Sequence, residues 1–135
     1  MPVPLEVTRV FHFDAAHRLE DYVGKCSNLH GHTYKLEVTV RGVPDSRGIV
    51  VDFADLKRIY QEHYEPLLDH KYLNETLPGI NTTAENLAIW FFDYWEAHVR
   101  PLYPHLELVR VRIWETPSTY VTLHAEDWRA GRANQ

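Results

Sequence analysis

The chain has a single cysteine, Cys26, so no intrachain disulfide can form, which suits a reducing compartment. It has no Lys/Arg-rich run and no Arg/Gly segment. With a formal net charge of -5, nucleic-acid binding gets no electrostatic support. Long apolar runs are also missing. The longest, Leu87 to Phe92, falls far short of the roughly 20 residues a bilayer span requires. The opening residues, Met1 to Val10, lack a basic stretch followed by an apolar run, so no signal peptide is expected. These absences predict a cytoplasmic protein that binds neither membrane nor nucleic acid. There is no internal repeat, low-complexity tract or linker, and 135 residues suit one domain over 1–135.

A hydrophobic content of 44% and an aromatic content of 13% suffice for a packed core, and nine histidines are many for this length. Strand alternation is expected from about Leu5 to His17, with Phe11, Phe13, Ala15 and His17 on one face. Arg18 to Asn28 reads as a loop. A second strand, about His30 to Arg41, carries His30, His32, Tyr34, Leu36, Val38 and Val40 on one face. Asp52 reads as the N-cap of a helix ending near Glu65, because the residue before Pro66 is steered away from helical angles. Leu67 to Ile80 reads as a loop. A second helix starts at Thr82 or Thr83, with Thr82 and Glu85 at capping-box spacing, and closes at Arg100 before Pro101. Val109, Val111, Ile113 and Glu115 share a third strand face, and Thr119 to His124 forms a fourth strand. The order ββααββ predicts an α+β fold, a four-stranded antiparallel sheet with both helices on one face.

The chemistry centres on His30-Gly31-His32. At spacing two on a strand, both imidazoles project from one face and can chelate one cation. His17, at the end of the preceding strand, completes the set if the two strands pair as a hairpin. Three histidines without a close fourth ligand match an open, catalytic zinc site, whose free position binds substrate oxygens and acidifies a neighbouring C–H. Cys26, four residues before His30, has three readings: a thiolate base favoured by the dication and Lys25, a buried small apolar residue, or a fourth zinc ligand that closes a structural site. Asp69-His70 reads either as a carboxylate orienting an imidazole for proton transfer or as a polar loop pair. Glu115 sits at the edge of a core, where a carboxylate needs a partner, unless the strand ends at Trp114 and leaves it exposed. A side-by-side pair of N–H groups would suit it. Thr83 and Glu85 are first of all helix-start residues. Arg18 and Lys25 flank the proposed site and could meet phosphate.

Taken together, these motifs resemble the 6-pyruvoyltetrahydropterin and 6-carboxytetrahydropterin synthase family. The likeness runs through Phe13 to Leu19, Cys26 to His32, Val51 to Lys57, Leu68 to Asn74, Thr82 to Asn86 and Trp114 to Thr116, nearly the whole chain. It implies zinc on His17, His30 and His32, Cys26 as catalytic base, Asp69 and His70 as a second proton-transfer pair, and Glu115 gripping a pterin ring with Thr83 nearby. The implied substrate is 7,8-dihydroneopterin triphosphate. Three residues between Cys26 and His30 look like the branch that makes 6-carboxytetrahydropterin, releases acetaldehyde and feeds queuosine synthesis; the pyruvoyl branch has a longer gap. The family also implies the tunnelling fold, in which subunits close their sheets into a barrel, usually as hexamers, with active sites at subunit interfaces. Ala84 departs from relatives that carry a hydroxyl there, and the tail from Trp128 to Gln135 lies outside the family core.

Overall fold

The computed structural model describes residues 2–134. β1 (Leu5–His17) and β2 (His30–Gly42) form a long antiparallel pair in continuous register, with Phe13 opposite Tyr34, Ala15 opposite His32 and His17 opposite His30. β4 (Glu107–Thr116) pairs with β2, and β5 (Thr119–His124) pairs with β4, both antiparallel. The alternation expected for β1 and β2 holds: Phe11, Phe13, Ala15 and His17 are buried with Tyr34, Leu36, Val38 and Val40.

The sheet has five strands, not four, in the order β3-β1-β2-β4-β5. β3 (Lys71–Tyr72) lies parallel to β1 at Ala15 and Ala16. Two residues are too few to show alternation, so this strand was invisible in the sequence. It arises because His70 adopts left-handed angles, φ 57, and turns the chain back onto the sheet edge.

The helices pack on one face. α1 (Phe53–Ile59) starts at Asp52, whose carboxylate accepts the Ala54 N–H at 2.8 Å. The expected stop at Glu65 does not occur. The helix widens into a π-turn over Tyr60–Tyr64 and continues as α2 (Glu65–Leu68). The Glu65 N–H reaches back five residues to the Tyr60 carbonyl, and this wider turn accommodates the proline ring and its missing N–H. α3 (Leu73–Thr76) occupies part of what reads in sequence as loop. α4 (Ala84–Tyr94) is capped by Thr83, not Thr82: the Thr83 hydroxyl accepts the Asn86 N–H at 3.1 Å, and Glu85 is exposed. A π-turn over Trp95–Val99 ends this helix before Pro101.

The tail is also structured. α5 (Ala125–Ala133) follows β5 directly, and Trp128 stacks on Phe92 and donates its indole N–H to Asp93 at 2.9 Å. The core between sheet and helices holds Phe13 stacked on Tyr34, Phe11 on Tyr60, and Tyr64 on Phe91. Each such fully buried ring stabilises the fold by about 2–3 kcal/mol through area removed from water. This core fixes the register of β1 on β2, and that register sets the histidines.

Candidate metal centre

The register that opposes His17 to His30 brings three imidazoles together at one end of the β1–β2 pair. β4 adds Glu115 from the same face. One ligand atom from each of His17, His30, His32 and Glu115 lies within 4.8 Å of the others. The sequence left Cys26 as one possible fourth donor for this set. The structure provides Glu115, because its position on β4 continues the inward face of Val111 and Ile113.

Hydrogen bonding fixes the tautomers of two rings. A carbonyl can only accept, so Nδ1 of His17 donates to the Thr82 carbonyl at 2.8 Å, and Nδ1 of His30 donates to the Asn28 carbonyl at 2.7 Å. In the neutral rings, both Nε2 atoms then carry lone pairs. They face each other at 3.0 Å. Glu115 Oε1, another acceptor, lies 3.1 Å from Nε2 of His17 and 3.2 Å from Nε2 of His32. His32 Nε2 is buried and makes no well-aligned hydrogen bond. The Nε2 lone pairs of His17 and His30 and the Glu115 carboxylate converge without a proton between them and repel, so the site favours a cation there, either an extra proton or a metal ion.

The donor set fits zinc: imidazole nitrogens and a carboxylate oxygen, with carbonyl groups orienting two of the rings from behind. Donor separations of 3.0–3.2 Å are close to the edge of a tetrahedron, about 3.3 Å, for bonds of about 2.0 Å to zinc. Without metal, the His17 ring hydrogen-bonds Glu115 and holds its carboxyl below the ordinary value. Burial opposes that shift, while the charges of His32, His17 and His30 reinforce it. That bond needs a second proton on His17, the same positive charge a metal supplies. Burial, with His17 and His30 nearby, lowers the pKa of His32, although Glu115 pulls the other way.

A second cluster lies on the outward side of β1. Asp69 accepts the Asp14 N–H at 3.0 Å and pairs with Nδ1 of its neighbour His70 at 3.0 Å. The His70 N–H donates to the Asp14 carbonyl at 2.6 Å, and the Thr33 hydroxyl donates to the Asp14 carboxylate. Burial pushes the Asp69 carboxyl up, but the Asp14 N–H, the His70 ring and the His70 N–H together hold it below its ordinary value. Thus Asp69 and His70 do form a pair, despite being sequence neighbours that often point apart. His70 and His32 line one open cleft of about 610 Å³ along Asp14, Ala16, Gly31 and Tyr72. The pair does not join the donor atoms of the histidine centre.

Cys26 sits in a 3-10 turn (Lys25–Ser27) and is partly exposed. Its thiol is not among the converging donors; the fourth donor beside the three imidazoles is the Glu115 carboxylate. Thr83 serves as the α4 cap, and the Thr82 carbonyl just before it orients His17. Sequence reading saw Thr82 only as a possible helix start and missed its contact with His17, and it gave no role to two asparagines. Asn74 accepts the Arg18 N–H at 2.9 Å and donates to the Arg18 carbonyl at 2.8 Å. Asn81 clasps the backbone of Glu20 in the same way. These clamps pin the chain as it leaves His17. A side chain that holds another segment's backbone leaves no local pattern; only the place of Asn74 at the end of the Leu68–Asn74 motif hinted at a role.

The model of the 6-pyruvoyl tetrahydropterin synthase family matches residues 6–126. The chain belongs to this family. The 6-carboxy-5,6,7,8-tetrahydropterin synthase of Haemophilus influenzae is 32% identical, covering 85% of this chain and 95% of that one. The 6-pyruvoyl tetrahydrobiopterin synthase of Dictyostelium discoideum is 36% identical, covering 89% and 96%. In three dimensions, the 6-pyruvoyl tetrahydropterin synthase of Caenorhabditis elegans superposes with a TM-score of 0.78 at 30% identity, over 92% of this chain and 97% of that one. The fold is therefore the tunnelling fold of the synthase family, with the short β3 strand and the α5 tail added to the four-stranded plan. No helix among the described residues is long and apolar enough to cross a membrane.

Proposed function

We propose that the chain is a zinc-dependent 6-carboxytetrahydropterin synthase acting in queuosine and 7-deazaguanine synthesis. It would convert 7,8-dihydroneopterin triphosphate and one water to 6-carboxy-5,6,7,8-tetrahydropterin, acetaldehyde and triphosphate. The observation that carries this reading is the convergence of His17, His30 and His32, with the lone pairs of His17 and His30 directed inward. Zinc held there would polarise the side-chain oxygens of the substrate and acidify the adjacent C–H. Cys26, on the loop entering β2, takes a proton as base. The Asp69-His70 pair relays the second proton, with Asp69 holding the imidazole in orientation. Glu115 grips the amino-pyrimidine edge of the pterin through two parallel N–H···O bonds, close to Thr83.

His70 and His32 line one cleft, but the donor atoms of the two clusters do not converge within one chain, a gap that assembly of neighbouring subunits would close. The edge of β1 from Leu5 to Asp14 and the outer edge of β5 have no strand partner among the described residues. Closure of such edges into a barrel, as a hexamer, would remove them from solvent.

A pyruvoyl-type elimination of triphosphate without C–C cleavage is the second reading, favoured by the Dictyostelium discoideum and Caenorhabditis elegans relatives. The three-residue gap between Cys26 and His30 and the Haemophilus influenzae relative favour the carboxy branch. Anaerobic incubation of the zinc-loaded protein with 7,8-dihydroneopterin triphosphate separates them. Acetaldehyde formed in step with 6-carboxytetrahydropterin is the expected result. A pyruvoyl pterin without acetaldehyde would transfer the chain to the other branch, and no turnover with zinc bound would favour a non-catalytic metal protein.

A further inference from the structure

We propose that Glu115 is an exchangeable fourth ligand of the metal, released to hold the pterin when the substrate's side-chain oxygens arrive. This rests on the reading of Glu115 as the pterin anchor. Its Oε1 lies 3.1 Å and 3.2 Å from two of the nitrogens that would bind the metal, so it already stands in the fourth position of the donor set. A two-point grip on a pair of N–H groups requires both carboxylate oxygens to face the ligand. With Oε1 turned into the histidine cluster, that grip is not available. The two roles therefore exclude each other and must alternate.

The backbone around Glu115 is built for such movement. In the β4–β5 pairing, Trp114 faces Tyr120 and Thr116 faces Thr119, and Glu115 is the extra residue of a bulge between them. The β2 ladder ends at Trp114, so Glu115 has no registered partner on either side. Bulges beside functional sites re-aim side chains. The carboxylate is also half-buried rather than enclosed, which leaves it room to swing. With metal bound and no substrate, His17, His30, His32 and Glu115 would together supply a full tetrahedral set of donors. A pterin that carries side-chain oxygens replaces the ligand it removes. A pterin without them must pull Glu115 off the metal with nothing to replace it, so it binds more weakly.

Cobalt substitution makes the coordination visible through its d–d absorption bands. The wild-type protein, E115Q and E115A are loaded with Co2+ and titrated with neopterin, a pterin with side-chain hydroxyls, with neopterin binding followed separately by fluorescence. We expect both variants to bind Zn2+ at least about tenfold more weakly, the scale that even an outer partner of a ligand carries. Their d–d spectra should differ from wild type, and neopterin should shift the wild-type spectrum. Unchanged metal affinity and spectra in both variants overturn the proposal. So does a wild-type spectrum that stays fixed at saturating neopterin, a test that needs no variant to fold. If neopterin binding collapses in the variants while metal properties stay unchanged, exchange fails but the pterin anchor stands. If neopterin binds all three proteins equally, the anchor reading itself fails, and exchange with it.

Discussion

Two clusters of imidazole and carboxylate lie near the same strand ends, and their differences come from burial. The inner cluster, His17, His30, His32 and Glu115, is shielded by the sheet and helices, with His17 fully buried. The ring donors of His17 and His30 are spent on carbonyls behind them, so their Nε2 atoms face each other without a proton between. The edge cluster, Asp14, Asp69 and His70, is largely exposed and satisfies itself with backbone N–H groups and one ion pair. The same side-chain types therefore leave acceptors facing one another in the more buried cluster and pair off in the more exposed one.

Replacing His17 with Ala should break this contrast most severely. It removes a ligand and leaves a cavity, costing about 3 kcal/mol of stability, and it should lower turnover about a thousandfold or more. Chemical melts and zinc analysis on the same sample check both. The edge cluster should behave differently. Asp69→Asn should lower turnover about 10²- to 10⁴-fold while zinc content stays at the wild-type level. Loss of zinc in that variant would dissolve the distinction between the clusters. Cys26→Ala should likewise abolish turnover and keep the metal.

A smaller effect concerns the protein stripped of metal. At saturating zinc, about 100 times Kd, stability should rise by about 2.7 kcal/mol, and this gain should be the same in Asp69→Asn as in wild type. pH separates the clusters further. His32 in the folded chain has a lowered pKa, so the unfolded chain binds its proton first on acidification. Metal-free stability is therefore full above the ordinary histidine range and falls as pH drops through it. Glu115 and Asp69 are also lowered, and their contributions disappear only at the lower pH of the carboxylate range. Melts of the metal-free protein through the histidine range, in wild type and His32→Ala, should show a loss of stability on acidification that depends on His32. The smallest expected effect is Thr83→Ala, which removes the α4 cap at a cost of about 1 kcal/mol.

The inner cluster was more legible in the sequence than the edge. Period-two alternation in β1 and β2 already put His17, His30 and His32 on one face, and a hairpin pairing needed only the register that the core then sets. Glu115 was placed on the right face by alternation with Val111 and Ile113, but the bulge that leaves it unpaired at the end of β4 has no alternation signature. The edge cluster depends on a two-residue strand and on a histidine in left-handed conformation, neither of which has a sequence signature. The first helix outran its proline because a π-turn absorbs the missing N–H, an outcome decided by packing rather than propensity. α5 escaped notice because its nine residues, from Ala125 to Ala133, carry one large apolar side chain, Trp128, too few for a helical stripe.

X-ray absorption at the zinc edge of the purified protein tests the central claim most directly. The account predicts one zinc per chain in a shell of nitrogen and oxygen at about 2.0–2.1 Å. A sulfur scatterer at about 2.3 Å would contradict it, because Cys26 would then close the site that the three histidines and Glu115 build.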